Sequence, residues 1–248
     1  MIGVRQLCKS FGTQSVLNGV SLQIEKGERV VIIGRSGGGK SVLLKLIIGL
    51  IRPDSGEVVI DGQNIVPMSE RQLLNVRHRF GMLFQASALF DSMSVADNVA
   101  FALRRERKWT AQEIDRKVNE ALAMVDLEGT QTKKPAALSG GMRKRVGLAR
   151  AIVYQPEILL YDEPTTGLDP IGADSIDRLI VRISDRLSVT SIAVTHDMRS
   201  ASRIGKRIVM LHEGRIHAAG TPDEIFKSTD PVVSRFVNGL SDPREHTF

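Results

Sequence analysis

Gly34-Arg35-Ser36-Gly37-Gly38-Gly39-Lys40-Ser41 follows the apolar run Val30-Val31-Ile32-Ile33 and precedes Val42-Leu43-Leu44-Lys45-Leu46-Ile47-Ile48. That order reads as strand, glycine loop, helix, and the spacing fits G-x-x-x-x-G-K-[ST]. Glycines let backbone N–H groups close around phosphate oxygens where side chains would obstruct them. A helix opening near Lys40 adds the positive end of its dipole. Lys40 is then a point charge for the β- and γ-phosphates, and Ser41 offers a hydroxyl to Mg²⁺. The competing reading is a glycine-rich turn with an accidental Lys-Ser, and the flanking strand and apolar helix weigh against it. The loop predicts nucleotide binding and leaves open what the nucleotide is used for.

Composition narrows the class. The chain has 248 residues, 42% hydrophobic and 25% charged, as expected of a globular protein with one large or two modest cores. Apolar stretches are interrupted by Lys45 or end within about ten residues, short of the ~20 a spanning helix needs. Met1 to Gln6 shows no signal-peptide apolar region. The single cysteine, Cys8, cannot form an internal disulfide, so a reducing, cytoplasmic setting is expected. The net charge of +6 suits phosphate ligands, acidic lipid or nucleic acid alike. Aromatics at 4% argue against a base-stacking nucleic-acid platform.

Val4 to Leu7, Val20 to Ile24 and Arg29 to Ile33 read as short strands. Phe11 falls in the polar stretch Lys9-Ser10-Phe11-Gly12, either as a packing anchor or as a ring that stacks on a base. Phe80 to Phe84 is a buried strand ending on Gln85, which either enters a ligand crevice or is an exposed edge residue. Residues 86 to 135 lack strand signals. Ser94 to Leu103 has helical periodicity, and Thr110-Ala111-Gln112-Glu113 is a capping box for a helix to about Val125. Leu138-Ser139-Gly140-Gly141-Met142 opens a further helix. Its Ser139 start is either a second anion-accepting N-terminus or a plain cap, and Arg143-Lys144-Arg145 reads as exposed surface. Ile158 to Glu163 is an apolar strand closing on two carboxylates. Asp162 suits Mg²⁺, and Glu163 is placed to polarise an attacking water. A surface acidic pair is the alternative, disfavoured by the glycine loop upstream. Pro164 to Pro170 is a rigid loop, followed by a helix from Gly172 to Leu187 and a strand from Thr190 to Thr195. His196 stands at that strand's end, a position matching Gln85 and Asp162. The remainder reads as two strands about Gly214, a helix capped by Thr221-Pro222-Asp223-Glu224, and a polar tail from Asn238.

The ordered set Phe11, Gly34 to Ser41, Gln85, Leu138 to Met142, Ile158 to Glu163, Leu168-Asp169 and His196 resembles the ATP-binding cassette (ABC) transporter ATPase over about residues 2 to 227. These match its A-loop, Walker A, Q-loop, signature, Walker B, D-loop and H-loop. Met142 departs from the usual glutamine. The resemblance implies an α/β P-loop NTPase fold of ABC ATPase type, with an N-terminal antiparallel β subdomain and a helical insertion at about 86–155. It implies one ATPase domain over 1–240 and a tail over 241–248. ATP and Mg²⁺ are the implied ligands. Phe11, Gly34, Arg35, Ser36, Gly37, Gly38, Gly39, Lys40, Ser41, Val42, Gln85, Ser139, Gly140, Gly141 and Asp169 would hold nucleotide. Ser41, Gln85 and Asp162 would hold the metal, and Glu163 and His196 would be catalytic. Two copies would close head to tail around two ATP molecules, each Walker A facing the other chain's Ser139-Gly140-Gly141.

The stretch Met82 to Val99, the Gly-Gly-Met signature and the ending Phe236 to Pro243 are similar to ATPases of Mce-associated (Mla-type) phospholipid transport systems. That implies a homodimer beneath an integral-membrane permease, an Mce-type substrate-binding protein, a STAS-domain partner, no nucleic acid, and a peripheral place on the cytoplasmic face of a bacterial inner membrane. The alternatives are the ATPase of an amino acid or osmolyte importer and a soluble ABC protein acting on nucleic acid or ribosomes. Extra regulatory domains would mark the former. Paired cassettes or a long coiled coil would mark the latter.

Overall fold

A computed structural model describes residues 2–241. In chain order the strands and helices are β1 (Ile2–Phe11), β2 (Gln14–Ile24), β3 (Arg29–Ile33), α1 (Lys40–Ile47), β4 (Ser55–Ile60), β5 (Gln63–Asn64), α2 (Glu70–Arg77), β6 (Phe80–Leu83), α3 (Val95–Glu106), α4 (Ala111–Met124) and α5 (Gly140–Ile152). Then come β7 (Ile158–Asp162), α6 (Pro170–Leu187), β8 (Thr190–Thr195), α7 (Met198–Ile204), β9 (Arg207–His212), β10 (Arg215–Gly220), α8 (Pro222–Phe226) and α9 (Pro231–Val237). They form two compact units, one of residues 2–68 and 193–241, the other of residues 69–192.

In the first unit, β1, β2, β4 and β5 make an antiparallel sheet in the order β2-β1-β4-β5, the expected N-terminal β subdomain. Ile2, Val4 and Leu7 are buried while Arg5 and Gln6 are exposed, which gives one dry face. The sheet corrects the reading of its first strands: β1 and β2 are long, bulged partners, and Phe11 ends β1 opposite Gln14 instead of lying in a loop. Bulges absorb the polar residues that broke the alternation in sequence. The same unit carries β3, which runs parallel to β9, and β10, antiparallel to β9. Val30 to Ile33 are almost wholly buried, each such side chain contributing about 1.5–3 kcal/mol. Besides α7, α9 was not foreseen, and it begins at Pro231. Asp230 caps it by accepting from the Val232 and Val233 N–H groups, and Pro231 presets its first turn. The expected tail over 241–248 lies, beyond Ser241, outside the described residues.

In the second unit, β6 pairs parallel with β7, Leu83 opposite Tyr161. The helices α3, α4 and α5 pack on one another, as expected of the helical insertion. Ser94 and Thr110 close reciprocal capping boxes with Asp97 and Glu113. Asn98, fully buried, fixes the chain ahead of α3. Its Oδ1 accepts from Phe90 N–H at 2.8 Å, and its Nδ2 donates to Phe90 O and Ser94 O at 3.1 and 3.0 Å. Arg145 on α5 donates to Val125 O and Asp126, tying α5 to the end of α4. The helix read from Gly172 begins two residues earlier, because Asp169 and Pro170 together start it.

Candidate functional site

The residues singled out by sequence divide between the units. Phe11, Gly34 to Val42 and His196 belong to the first. Gln85, Ser139 to Gly141, Asp162, Glu163 and Asp169 belong to the second.

The β3–β9 register ends at Ile33 opposite Met210, which brings the next residue, Gly34, against Leu211. A Cβ at Gly34 would lie 2.3 Å from the Leu211 carbonyl oxygen, so only glycine permits this approach. Gly39 is the N-cap of α1 and brings no capping side chain, which leaves the helix opening to backbone N–H groups. Lys40 is 5% exposed, and its Nζ donates to the carbonyls of Gly34 at 2.8 Å and Arg35 at 2.9 Å. Its ammonium is thereby held back over the loop. Arg35, Ser36, Gly37 and Gly38 line a cleft of about 640 Å³ whose other walls include His196, His212, Arg235 and Phe236. The structure thus brings His196 and the glycine loop to one cleft, although Gly38 and His196 are 158 positions apart in the chain. It also adds α9 to that cleft, which sequence reasoning missed. Phe11 is 51% exposed, so it is not a packing anchor, and Lys9 Nζ lies 5.3 Å from its ring centroid.

In the second unit β7 is buried throughout, and Asp162 and Glu163 emerge at its end only 6% and 8% exposed. They are not a surface pair. Glu163 has φ +48°, a left-handed backbone that redirects its side chain as the strand stops. Thr166 Oγ1 donates to Glu163 Oε2 at 3.4 Å. Gln85 lies two residues beyond β6 and is exposed.

Ser139 is the N-cap of α5, its Oγ accepting from Met142 N–H at 3.3 Å. Ser139 is solvent-exposed, and no acidic residue occupies the first turn. A 13-residue helix therefore presents its positive end outward. Asp169 likewise caps α6, accepting from the Ile171 and Gly172 N–H groups at 3.0 and 2.9 Å. Those bonds, Gly172 foremost, hold its carboxyl below the usual range.

One expectation is overturned. Arg143-Lys144-Arg145 is not an exposed run: Lys144 is 5% exposed. Its Nζ donates to the Gln85 carbonyl and, at 3.3 Å, to the Glu163 carbonyl. Burial lowers its pKa, opposed by the nearby charges of Asp162 and Glu163. The signal was in the helical period: Lys144 shares a face with the buried Leu148 and Ile152 at i+4 and i+8.

Residues 17–166 match the family described as ABC transporter. The chain is 44% identical over 238 residues to the probable ribonucleotide transport ATP-binding protein mkl of Mycobacterium tuberculosis, a match covering 96% of this chain and 66% of that one. It thus spans about two thirds of the length of that relative. It is 40% identical over 242 residues to the intermembrane phospholipid transport system ATP-binding protein MlaF of Haemophilus influenzae, covering 98% and 92%. The sulfate/thiosulfate import ATP-binding protein CysA of Caulobacter vibrioides is 42% identical over 242 residues, covering 96% and 69%. Among solved structures, a dimeric ATP-binding cassette in a post-hydrolysis state with ADP and Pi superposes with TM-score 0.82 at 32% identity, covering 90% of this chain and 99% of that one. With the phosphate loop, the acidic strand end and the signature helix in one order, and with this match, the chain belongs to the ABC transporter family as one of its ATPase cassettes.

Proposed function

We propose that the chain powers a membrane transporter for phospholipid, working as a homodimer that binds two ATP molecules between its copies. The observation that carries the dimer is the presence on one chain of two phosphate-type helix openings: Gly39 to Ser41 on α1, and the solvent-facing Ser139 to Gly141 on α5. The second serves a nucleotide held by the partner copy. The phospholipid reading is supported by the match to MlaF over nearly the whole of both chains. The partners are then an integral-membrane permease, an Mce-type binding protein and a STAS-domain protein. The chain would lie on the cytoplasmic face of the membrane. Among the described residues no helix is long and apolar enough to cross it. Residues 1–240 act as the ATPase domain in this reading, with 86–155 as the part that meets the permease.

In this reading Lys40 and the loop N–H groups bind the β- and γ-phosphates, and Phe11 stacks on adenine through its exposed ring face. Glu163 takes the proton of the attacking water, and His196, in the same cleft as the loop, holds the γ-phosphate and that water. The donors Ser41 hydroxyl, Gln85 amide and Asp162 carboxylate are hard oxygens, the kind Mg²⁺ prefers. When bound, Mg²⁺ would neutralise charge on the β- and γ-phosphate oxygens.

The test is transfer of fluorescent phospholipid between vesicles, by proteoliposomes holding this chain and its co-purified membrane subunits. ATP-dependent transfer supports the reading. ATP-dependent uptake of an amino acid, osmolyte or sulfate without lipid transfer puts the importer reading ahead, which the CysA match keeps in play.

A further inference from the structure

We infer that Lys144 is a positioning residue for ATP hydrolysis: it binds the main chain at Gln85 to the main chain at Glu163, and so sets where the glutamate side chain stands. The inference rests on the role given above to Glu163. Its basis is a buried cation with a specific set of acceptors. An ammonium has three donors, and in a protein interior it needs acceptors to replace water. The two acceptors here are backbone carbonyls, one from each of the segments that leave β6 and β7. Those strands are hydrogen-bonded neighbours, with Leu83 opposite Tyr161, so the two segments emerge side by side. Lys144 joins them beyond the last rung of the ladder, where strand pairing no longer fixes their spacing.

The chain at both places lies outside ordinary backbone preference. Glu163 has φ +48°, and Ser87 and Ala88, just after Gln85, have φ +60° and +46°. Non-glycine residues persist there only when their surroundings hold them. The same helix supplies that hold: Arg150 on α5 donates to Ala88 O at 2.6 Å and Ser87 O at 2.7 Å. Helix α5 also approaches β6 closely. A Cβ at Gly81 would lie 2.2 Å from the Ala151 carbonyl oxygen. A helix seated this tightly gives Lys144 a rigid base. Its N-terminus is the Ser139-Gly140-Gly141 opening, so a phosphate bound there and the carbonyl of the proposed base are attached to one rod.

Lys144→Met is the informative change, because it keeps the length and apolar stem while removing every donor. Replacing a buried charge by an apolar side chain of similar volume is often close to neutral for stability, so the variant should fold with a parent-like Tm. Lys144→Gln, which retains an N–H donor, is the second variant. Steady-state hydrolysis by the full chain gives kcat and KM for ATP. A misplacement of about 1 Å at a reacting group costs up to about 100-fold. Lys144→Met should therefore lose about 10- to 100-fold in kcat, with KM within about threefold of the parent. Lys144→Gln should recover part of that loss. In a Glu163→Gln background, which alone lowers the rate ~10²–10⁴-fold, Lys144→Met should add little, because residues acting as one unit are not additive.

A parent-like kcat in Lys144→Met overturns the inference, as does a full additional loss on top of Glu163→Gln. If Lys144→Met does not fold, the cycle is run with Lys144→Leu, which also lacks a donor, and the same two results decide. Parent-rate hydrolysis by Glu163→Gln alone overturns the assignment of the base and this inference with it. That outcome is distinct from the case in which only the Lys144 variants are silent.

Discussion

Gly34→Ala tests how the phosphate loop is built. The added Cβ would stand 2.3 Å from the Leu211 carbonyl oxygen, against an ordinary contact of 3.4–4 Å. The loop or β9 must yield by about 1 Å to restore contact distance. β9 cannot yield cheaply: Ile208, Val209 and Met210 are buried and bonded to β3 in register. The displacement therefore falls on the loop. Overpacking of this kind costs about 1–3 kcal/mol, and a side chain at positive φ, here +155°, adds about 1–2 kcal/mol. At roughly 2–4 °C per kcal/mol for a chain of this size, Tm should fall by roughly 4–20 °C. Gly37→Ala is the control. It has φ +75° but nothing within 4 Å of its Cβ, so only the backbone cost applies and Tm should fall by roughly 2–8 °C. The assay is thermal unfolding of both variants without nucleotide, followed by titration with ATP. Gly34→Ala should also bind ATP more weakly, because the displaced N–H groups no longer converge. Equal Tm values for the two variants, or a parent-like Gly34→Ala, would refute the claim that the approach to Leu211 shapes the loop.

Lys40→Ala removes the buried ammonium held by the Gly34 and Arg35 carbonyls, and should abolish hydrolysis and strongly weaken ATP binding. Near-normal turnover in a steady-state ATPase assay would contradict the site. Glu163→Gln should slow hydrolysis by ~10²–10⁴ while sparing ATP affinity. With Mg-ATP and the partner subunits present it should accumulate as an ATP-bound dimer in light scattering, and a persistent monomer would count against the head-to-tail arrangement. Stability should depend on acid pH. Ser94 and then Arg104 hold the Asp97 carboxyl below its usual range, so its contribution is full above the unfolded pKa of about 4 and is lost as pH falls through the lower folded value. Thermal unfolding between pH 7 and pH 2 should show this decline, and Asp97→Asn should flatten it. An unchanged acid limb would remove Asp97 from the account.

Local chemistry was legible where it was local. The glycine loop, the capping boxes at Thr110 and Thr221, and the apolar strand ending at Asp162-Glu163 each need only neighbours in the chain, and each stands in the structure where the residues put it. The helix α9 was also locally signalled, by Asp230 before Pro231, but its short apolar stretch ran into a polar tail and masked the start. Phe11 was misplaced because bulges in β1 break the two-residue period that marks a strand, so a strand end looked like a loop.

By itself the sequence determined most of the strands and helices, though not α7 or α9, together with the phosphate-binding loop and the family, because hydrophobic period, caps and motif spacing are carried by residues close together. Only the tertiary structure decided which groups meet. His196 reaches the cleft of the glycine loop because β8 ends there, and α9 joins it from the far end of the chain. Lys144, one of three consecutive basic residues, is distinguished from Arg143 and Arg145 only by the face of α5 that turns toward Gln85 and Glu163. A charged side chain in a basic run is read as solvated until packing takes its water away and leaves it backbone carbonyls in exchange. That exchange depends on contacts across 19 and 59 residues of chain, which no local pattern encodes.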